Sequence, residues 1–354
     1  MGASYPAIAS GARRLRKAVL LSDALPILTF EPLLKEVVWG GRALGTRLGK
    51  ELPPAVPIGE SWELVDLEDA ESVVADGPLK GRTLAEIMSG GAVELLGGAS
   101  PAGGRFPLLV KLIDARDVLS VQVHPDEAAS LRIGRGARPK TEAWYVIDRD
   151  PGAVLYAGLA PGVDRGRFEA HVAAGTVDAL LHRIAVEPGD FVFLPSGAVH
   201  AIGKGILLAE VQTPSDTTFR VFDWNRLGLD GMPRPLHVAE ALESIVFGVE
   251  GAPAALPPAS GREGVACPYF TFEAVPLAAG TVELLAGEGP LALTHVSGDG
   301  AVAIQAAGSF ASLGLGRTAL VPACRSARVE LESASPAMVL AARVPALPAA
   351  ARSR

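Results

Sequence analysis

Residues Ser120 to Glu127 read SVQVHPDE, and their two-residue alternation fixes the local structure more tightly than any other stretch. Gln122 and His124 leave one face of an extended strand, while Val121 and Val123 leave the other. One face carries candidate ligands and the other carries core. Composition points the same way: 49% of the chain is hydrophobic, aromatics supply only 5%, and there are 40 Gly and 28 Pro. Such a chain favours turn-rich β structure with a core of Val, Leu and Ala over a helical bundle.

The alternation recurs downstream. Lys140 and Glu142, in RPKTEAWYVI, lie two apart at the mouth of a second strand and add a carboxylate. The run EPGDFVFLPSGAVHAIG then sets Gly189, Pro195, Gly197 and His200 in the order G-x5-P-x-G-x2-H. Glu187 to Asp190 form a turn, FVFL is a buried strand, and Pro195 to Gly197 form a second turn that delivers His200 inward. This run resembles the second conserved motif of the cupin β-barrels. Gln122, His124, Glu142 and His200 together make an N/O donor set that suits Zn²⁺, with Fe²⁺, Mn²⁺ or Co²⁺ as substitutes. The usual cupin HxH is Gln122-x-His124 here, and no Asn follows His200 at the expected offset.

Taken with FEPLLKEVVWGG near Phe30, PIGESWEL at Pro57 to Leu64, FPLLVKLIDARDVLSVQVHPDE, VHAIGKGILLAEVQ and SDTTFRVFDWNR ending at Arg226, these motifs resemble the short bacterial form of the type I mannose-6-phosphate isomerases (phosphomannose isomerases). The resemblance implies a metal-dependent aldose–ketose isomerase that moves a proton between the first two carbons of an open-chain sugar phosphate through a cis-enediol. It implies one Zn²⁺ per chain. It places Arg220 at the reacting end of the sugar, and Ser120 and Lys140 at the phosphate. Lys204 joins the phosphate donors on spacing alone. Glu210, in LLAEVQ, is our choice of general base, provided burial offsets the nearby metal and arginine, and Lys140 is the runner-up. A cupin Fe²⁺ oxygenase using His124, His200 and Glu142, a related sugar isomerase, and a sugar-binding cupin are the alternatives. Arg220 has a plainer reading too, as the surface partner of Asp216 or Asp223.

Net charge is −7 and no basic block is long enough to track a phosphate backbone, which argues against nucleic acid as a partner. No run has the 18 or so apolar residues of a membrane span, so no membrane partner is expected. Cys267 and Cys324 read as buried small hydrophobes in a reducing compartment, consistent with a cytoplasmic monomer or homodimer.

In order along the chain, residues 1–26 read as a loose extension rather than a signal peptide, because Asp23 and Pro26 break the apolar stretch. Residues 27–247 are expected to form a jelly-roll catalytic domain with helical insertions. Within it, Gly81 to Gly98 predicts two short helices interrupted at Gly90–Gly91, and Trp144 to Leu159 a hairpin over Asp148 to Gly152. Gly162 to Arg183 predicts a helix carrying solvated His171 and His182, and Pro235 to Phe247 an amphipathic helix with a structural His237. Trp62 is either core or pocket lining. Residues 248–264 form the best linker, and 346–354 a tail. Short apolar segments over 265–345 predict a smaller cupin-like β-domain whose lone His295 leaves it without a metal set.

Overall fold

The structure, a computed structural model, describes residues 24–247, 264–285 and 287–346. Residues 1–23 of the expected N-terminal extension, almost all of the linker and most of the C-terminal tail lie outside the described residues. The end of that extension is not loose, since Leu25 is fully buried in the core and its carbonyl accepts from Arg325. The fold is mainly β, as expected, and the site lies between two facing sheets. One has six strands in the order Phe191–Leu194, Glu142–Arg149, Ile206–Gln212, Leu109–Ala115, Ile58–Leu64 and Leu33–Gly41. The other has five, in the order Phe219–Phe222, Val121–Val123, His200–Ile202, Val154–Leu159 and Leu181–Ala185.

Strand alternation explains why the six-stranded sheet is buried on both sides. Ile206, Leu208, Ile113, Trp144 and Val146 pack inward against Leu155, Ala157 and Ile202 of the facing sheet. Leu207, Ala209, Val211, Val110, Leu112, Ala143 and Tyr145 point the other way and join a second core with Phe270, Phe272, Ala292 and Leu320 from the C-terminal segment. Every residue of the strands Leu109–Ala115 and Ile206–Gln212 is buried. A charged residue on either strand therefore faces the protein interior, not water.

The C-terminal strands form a seven-stranded sheet over a four-stranded one, with a separate apolar core between them. Leu28–Glu31 pairs with Thr318–Val321 on one side and with Val73–Val74 on the other. The start of the described chain is thus woven into the C-terminal sheet.

Several local expectations are corrected. Glu142–Arg149 and Val154–Leu159 are not a hairpin: they belong to different sheets, because Trp144 and Val146 on one and Leu155 and Ala157 on the other fill the same interior from opposite sides. The helix expected to reach Arg183 runs only over Arg165–Ala174 and ends at Gly175 in a left-handed cap, so exposed His182 lies on the strand Leu181–Ala185. The helix expected from Pro235 is confined to Val238–Ser244, with His237 at its N-cap. Cys324 is exposed and Cys267 half-buried, both free, because they sit on a short turn and at a sheet edge instead of inside a strand. The helix Leu84–Leu96 does break at Gly91, whose φ of −148° is non-helical.

The turn before His200 is pinned to the strand that carries His124. The Gly197 N–H donates to the His124 carbonyl (2.8 Å), and the Gly197 carbonyl accepts from Val246 N–H (3.2 Å). Gly197 has φ +85°, and a Cβ there would lie 2.5 Å from the Val246 side chain. Gly197→Ala should therefore destabilise the fold by about 1–3 kcal/mol, measured as a lower midpoint in thermal or urea unfolding.

Candidate functional site

Strand register assembles the site from both sheets. On the five-stranded sheet, Gln122 is the cross-strand neighbour of both His200 and Arg220, so the three side chains lie side by side. On the six-stranded sheet, Glu210 stands opposite Lys111 on one side and Trp144 on the other, while Gln212 stands opposite Glu142. His124 follows directly after Val121–Val123, just before the helix Glu127–Ile133.

His124, Glu142 and His200 converge in the interior with one ligand atom of each lying within 4.8 Å of the others, the one such cluster among the described residues. His124 Nε2 is 3.2 Å from Glu142 Oε2, and His200 Nε2 is 3.2 Å from Glu142 Oε1. Both imidazoles are oriented from behind. His124 Nδ1–H donates to the Thr217 carbonyl and His200 Nδ1–H to the Ala198 carbonyl, each at 2.9 Å. That arrangement fixes the tautomer and turns both Nε2 lone pairs toward the carboxylate. The Gln122 amide lies 3.2 Å from His200 Nε2. His124 Nε2 and Glu142 Oε1 are buried without a hydrogen-bond partner, which is costly unless a cation satisfies them, whereas Glu142 Oε2 already meets the Lys140 ammonium at 2.8 Å. The donor set fits a divalent metal.

Electrostatics favour the ligating forms. Burial lowers the His124 pKa to about 3, helped by the Lys140 ammonium, and burial lowers His200 as well, so both imidazoles are neutral near pH 7. Burial would raise the Glu142 carboxyl, but the Lys140 ammonium, 2.8 Å away, outweighs it and holds it well below the usual range. The carboxylate is ionised.

Beside this cluster lies a cavity of about 340 Å³, lined by Ser120, Gln122, Lys140, Glu210 and Arg220 together with Glu60, Lys111, Asp216 and Arg234. Glu210 Oε1 is 3.2 Å from Lys111 Nζ, and Lys111 is 3.8 Å from Glu60. Burial raises the Glu210 pKa, as does the negative charge of Glu142, against the pull of Lys111 and Lys140. Burial opposes the Lys111 ammonium, but Glu210 and Glu60 outweigh it and push its pKa up, so it stays charged. Arg220 donates from one terminal nitrogen to the Pro235 carbonyl (2.9 Å), and its Nε is buried without a partner. Asp223 is engaged by Arg226 and Arg234, so the expected surface pairing of Arg220 with that residue is not formed.

Of the residues singled out from sequence, Ser120, Gln122, His124, Lys140, Glu142, His200, Glu210 and Arg220 come together here. Lys204 does not. It is exposed on the turn beyond the strand His200–Ile202, at the end away from His200, and is not part of the cavity wall. Trp62 is core: it packs on Val65, Leu67 and Leu109, with Lys111 Nζ 5.0 Å from its ring. His171 bonds to Thr176, His237 Nδ1 accepts the Arg220 backbone N–H, and His295 bonds to the Leu313 and Ser297 carbonyls. Lys111, Glu60 and Arg234 went unnoticed in sequence. A lysine inside the apolar run LLVKLI was a signal that it must be buried with a partner. Nothing comparable marked Arg234, which reaches the cavity from a loop.

The phosphomannose isomerase type I catalytic-domain family matches residues 27–145. The mannose-6-phosphate isomerase of Streptococcus mutans is 39% identical over 252 residues, covering 69% of this chain and 77% of that protein. ManA of Bacillus subtilis, a mannose-6-phosphate isomerase, is 42% identical over 220 residues, which span 62% of this chain and 67% of that protein. A crystal structure of the mannose 6-phosphate isomerase from Bacillus subtilis superposes with a TM-score of 0.77 and 29% identity, covering 90% of this chain and all of that one. Motif order, sheet architecture and these similarities agree: the chain belongs to the type I phosphomannose isomerase family.

Proposed function

We propose that this enzyme interconverts mannose 6-phosphate and fructose 6-phosphate through a cis-enediol, with one Zn²⁺ held by Gln122, His124, Glu142 and His200. The observation that carries the reading is a buried carboxylate, Glu210, paired with Lys111 in a polar cavity directly beside a carboxylate–imidazole cluster. The metal would supply Lewis-acid polarisation of the sugar carbonyl. Everything else is asked of the protein's own side chains.

Glu210 takes the proton from carbon 2 of the open-chain aldose. The C–H electron pair becomes the carbon 1–carbon 2 double bond, and negative charge moves to the oxygen on carbon 1. The same proton returns to carbon 1 while the hydroxyl proton on oxygen 2 passes to oxygen 1, so atoms and electrons balance without an outside reductant. Burial and the Glu142 charge raise Glu210 toward working pH, which makes the carboxylate a better base than a solvated glutamate. Arg220 and Lys111 face the cavity as fixed positive charges for the developing enediolate and the phosphate. Ser120 and Lys140 complete the phosphate donors, and Arg234 adds a further cation from its loop. Lys140 serves less well as the base, because its ammonium is committed to Glu142. The β unit of residues 265–345 would then act as a support behind the six-stranded sheet, not as a second site.

Coupled assay of mannose 6-phosphate conversion should show activity that chelation abolishes and Zn²⁺ restores. No turnover by folded, metal-loaded protein would sink the reading. Glu210→Gln should lower kcat by about 10²–10⁴ while metal content, measured by elemental analysis, stays at one per chain. His124→Ala should lose metal along with rate, visible as a substoichiometric zinc content after dialysis.

A further inference from the structure

Trp144 neither binds the metal nor touches the sugar cavity in the reading above, yet it sits fully buried between the groups that do. Its Nε1–H donates to Glu210 Oε2 at 2.9 Å. Its ring meets the His200 imidazole edge-on, with centroids 5.6 Å apart and planes at 79°. Across the strands, Trp144 and Lys111 flank Glu210 on its two sides. The two carboxylate oxygens are therefore not equivalent. Oε2 is the acceptor of a hydrogen bond from a rigid, packed indole, whereas Oε1 makes no hydrogen bond and lies 3.2 Å from the Lys111 ammonium.

A glutamate carboxylate rotates readily about its last bond, where the torsional profile is broad. A base that must take a proton at one carbon and return it to the next needs that rotation stopped, because misplacement of about 1 Å can cost ~10² in rate. We propose that Trp144 is a positioning residue: its indole N–H holds Glu210 by Oε2 and leaves Oε1 as the oxygen that takes and returns the substrate proton. The proposal rests on the reading of Glu210 as the base. It differs from a plain packing role, because only the N–H, not the bulk of the ring, is required.

The test compares Trp144→Phe with the parent in the metal-loaded enzyme, alone and in a Glu210→Gln background. The expected result is a fall in kcat of about 10–10², with KM and zinc content within about twofold. The isotope effect with substrate deuterated at carbon 2 should grow, since proton transfer becomes more limiting. In the Glu210→Gln background the same change should add almost nothing, because the N–H acts only through that carboxylate. An unchanged kcat, or an equal loss in both backgrounds, would overturn the proposal. So would loss of zinc together with rate, which would assign Trp144 to the support of His200. Should Trp144→Phe not fold, the indole N–H resonance of ¹⁵N-labelled parent decides: it must move in Glu210→Gln, and no movement refutes the contact. Failure of the parent to turn over mannose 6-phosphate is a separate result that strikes the isomerase reading itself.

Discussion

The site depends on one constraint: charged groups of both signs are held buried in the protein interior. Taking a single carboxylate or ammonium out of water costs several kcal/mol even after relaxation, and pairing must offset it. Here the pairing is chained. Glu60 faces Lys111, Lys111 faces Glu210, and Lys140 faces Glu142, so each buried cation meets at least one buried or half-buried carboxylate. The residual polar demand of the cluster falls on His124 Nε2 and Glu142 Oε1, atoms a metal would satisfy.

That chain of charge can exist only because the six-stranded sheet is covered on both faces. Val110, Leu112, Leu207, Ala209 and Val211 bury against the C-terminal strands, which frees the opposite face of the same two strands to carry Lys111 and Glu210. With one face solvated, the alternation would have placed the charges in water and the aliphatic residues inside. The pairing of Leu28–Glu31 with both Thr318–Val321 and Val73–Val74 ties this cover to the start of the chain. A long-range contact thereby bears on the electrostatics of residues it never touches.

Much of this was legible without coordinates. Alternation in SVQVHPDE and the spacing of Pro195, Gly197 and His200 are local properties, fixed by the pleat and by turn chemistry, and the structure brings Gln122, His124, Glu142 and His200 together. Where the reading failed, the cause was non-local. Nothing local says that Glu142–Arg149 and Val154–Leu159 leave their connecting turn for different sheets. The partnership of Trp144 with Glu210 is set by register between strands more than sixty residues apart.

The sequence by itself determined a β fold, the donor atoms of the cluster and the family, because two-residue periodicity and side-chain chemistry are written residue by residue. Only the tertiary structure decided which charges meet. The pairing of Lys111 with Glu210, the convergence of Arg220 and Arg234 on one cavity and the grip of Trp144 on a single oxygen all follow from which strands lie side by side. Strand register is a property of the packed whole, set by burial on both faces of the sheet, and no stretch of the chain contains it alone.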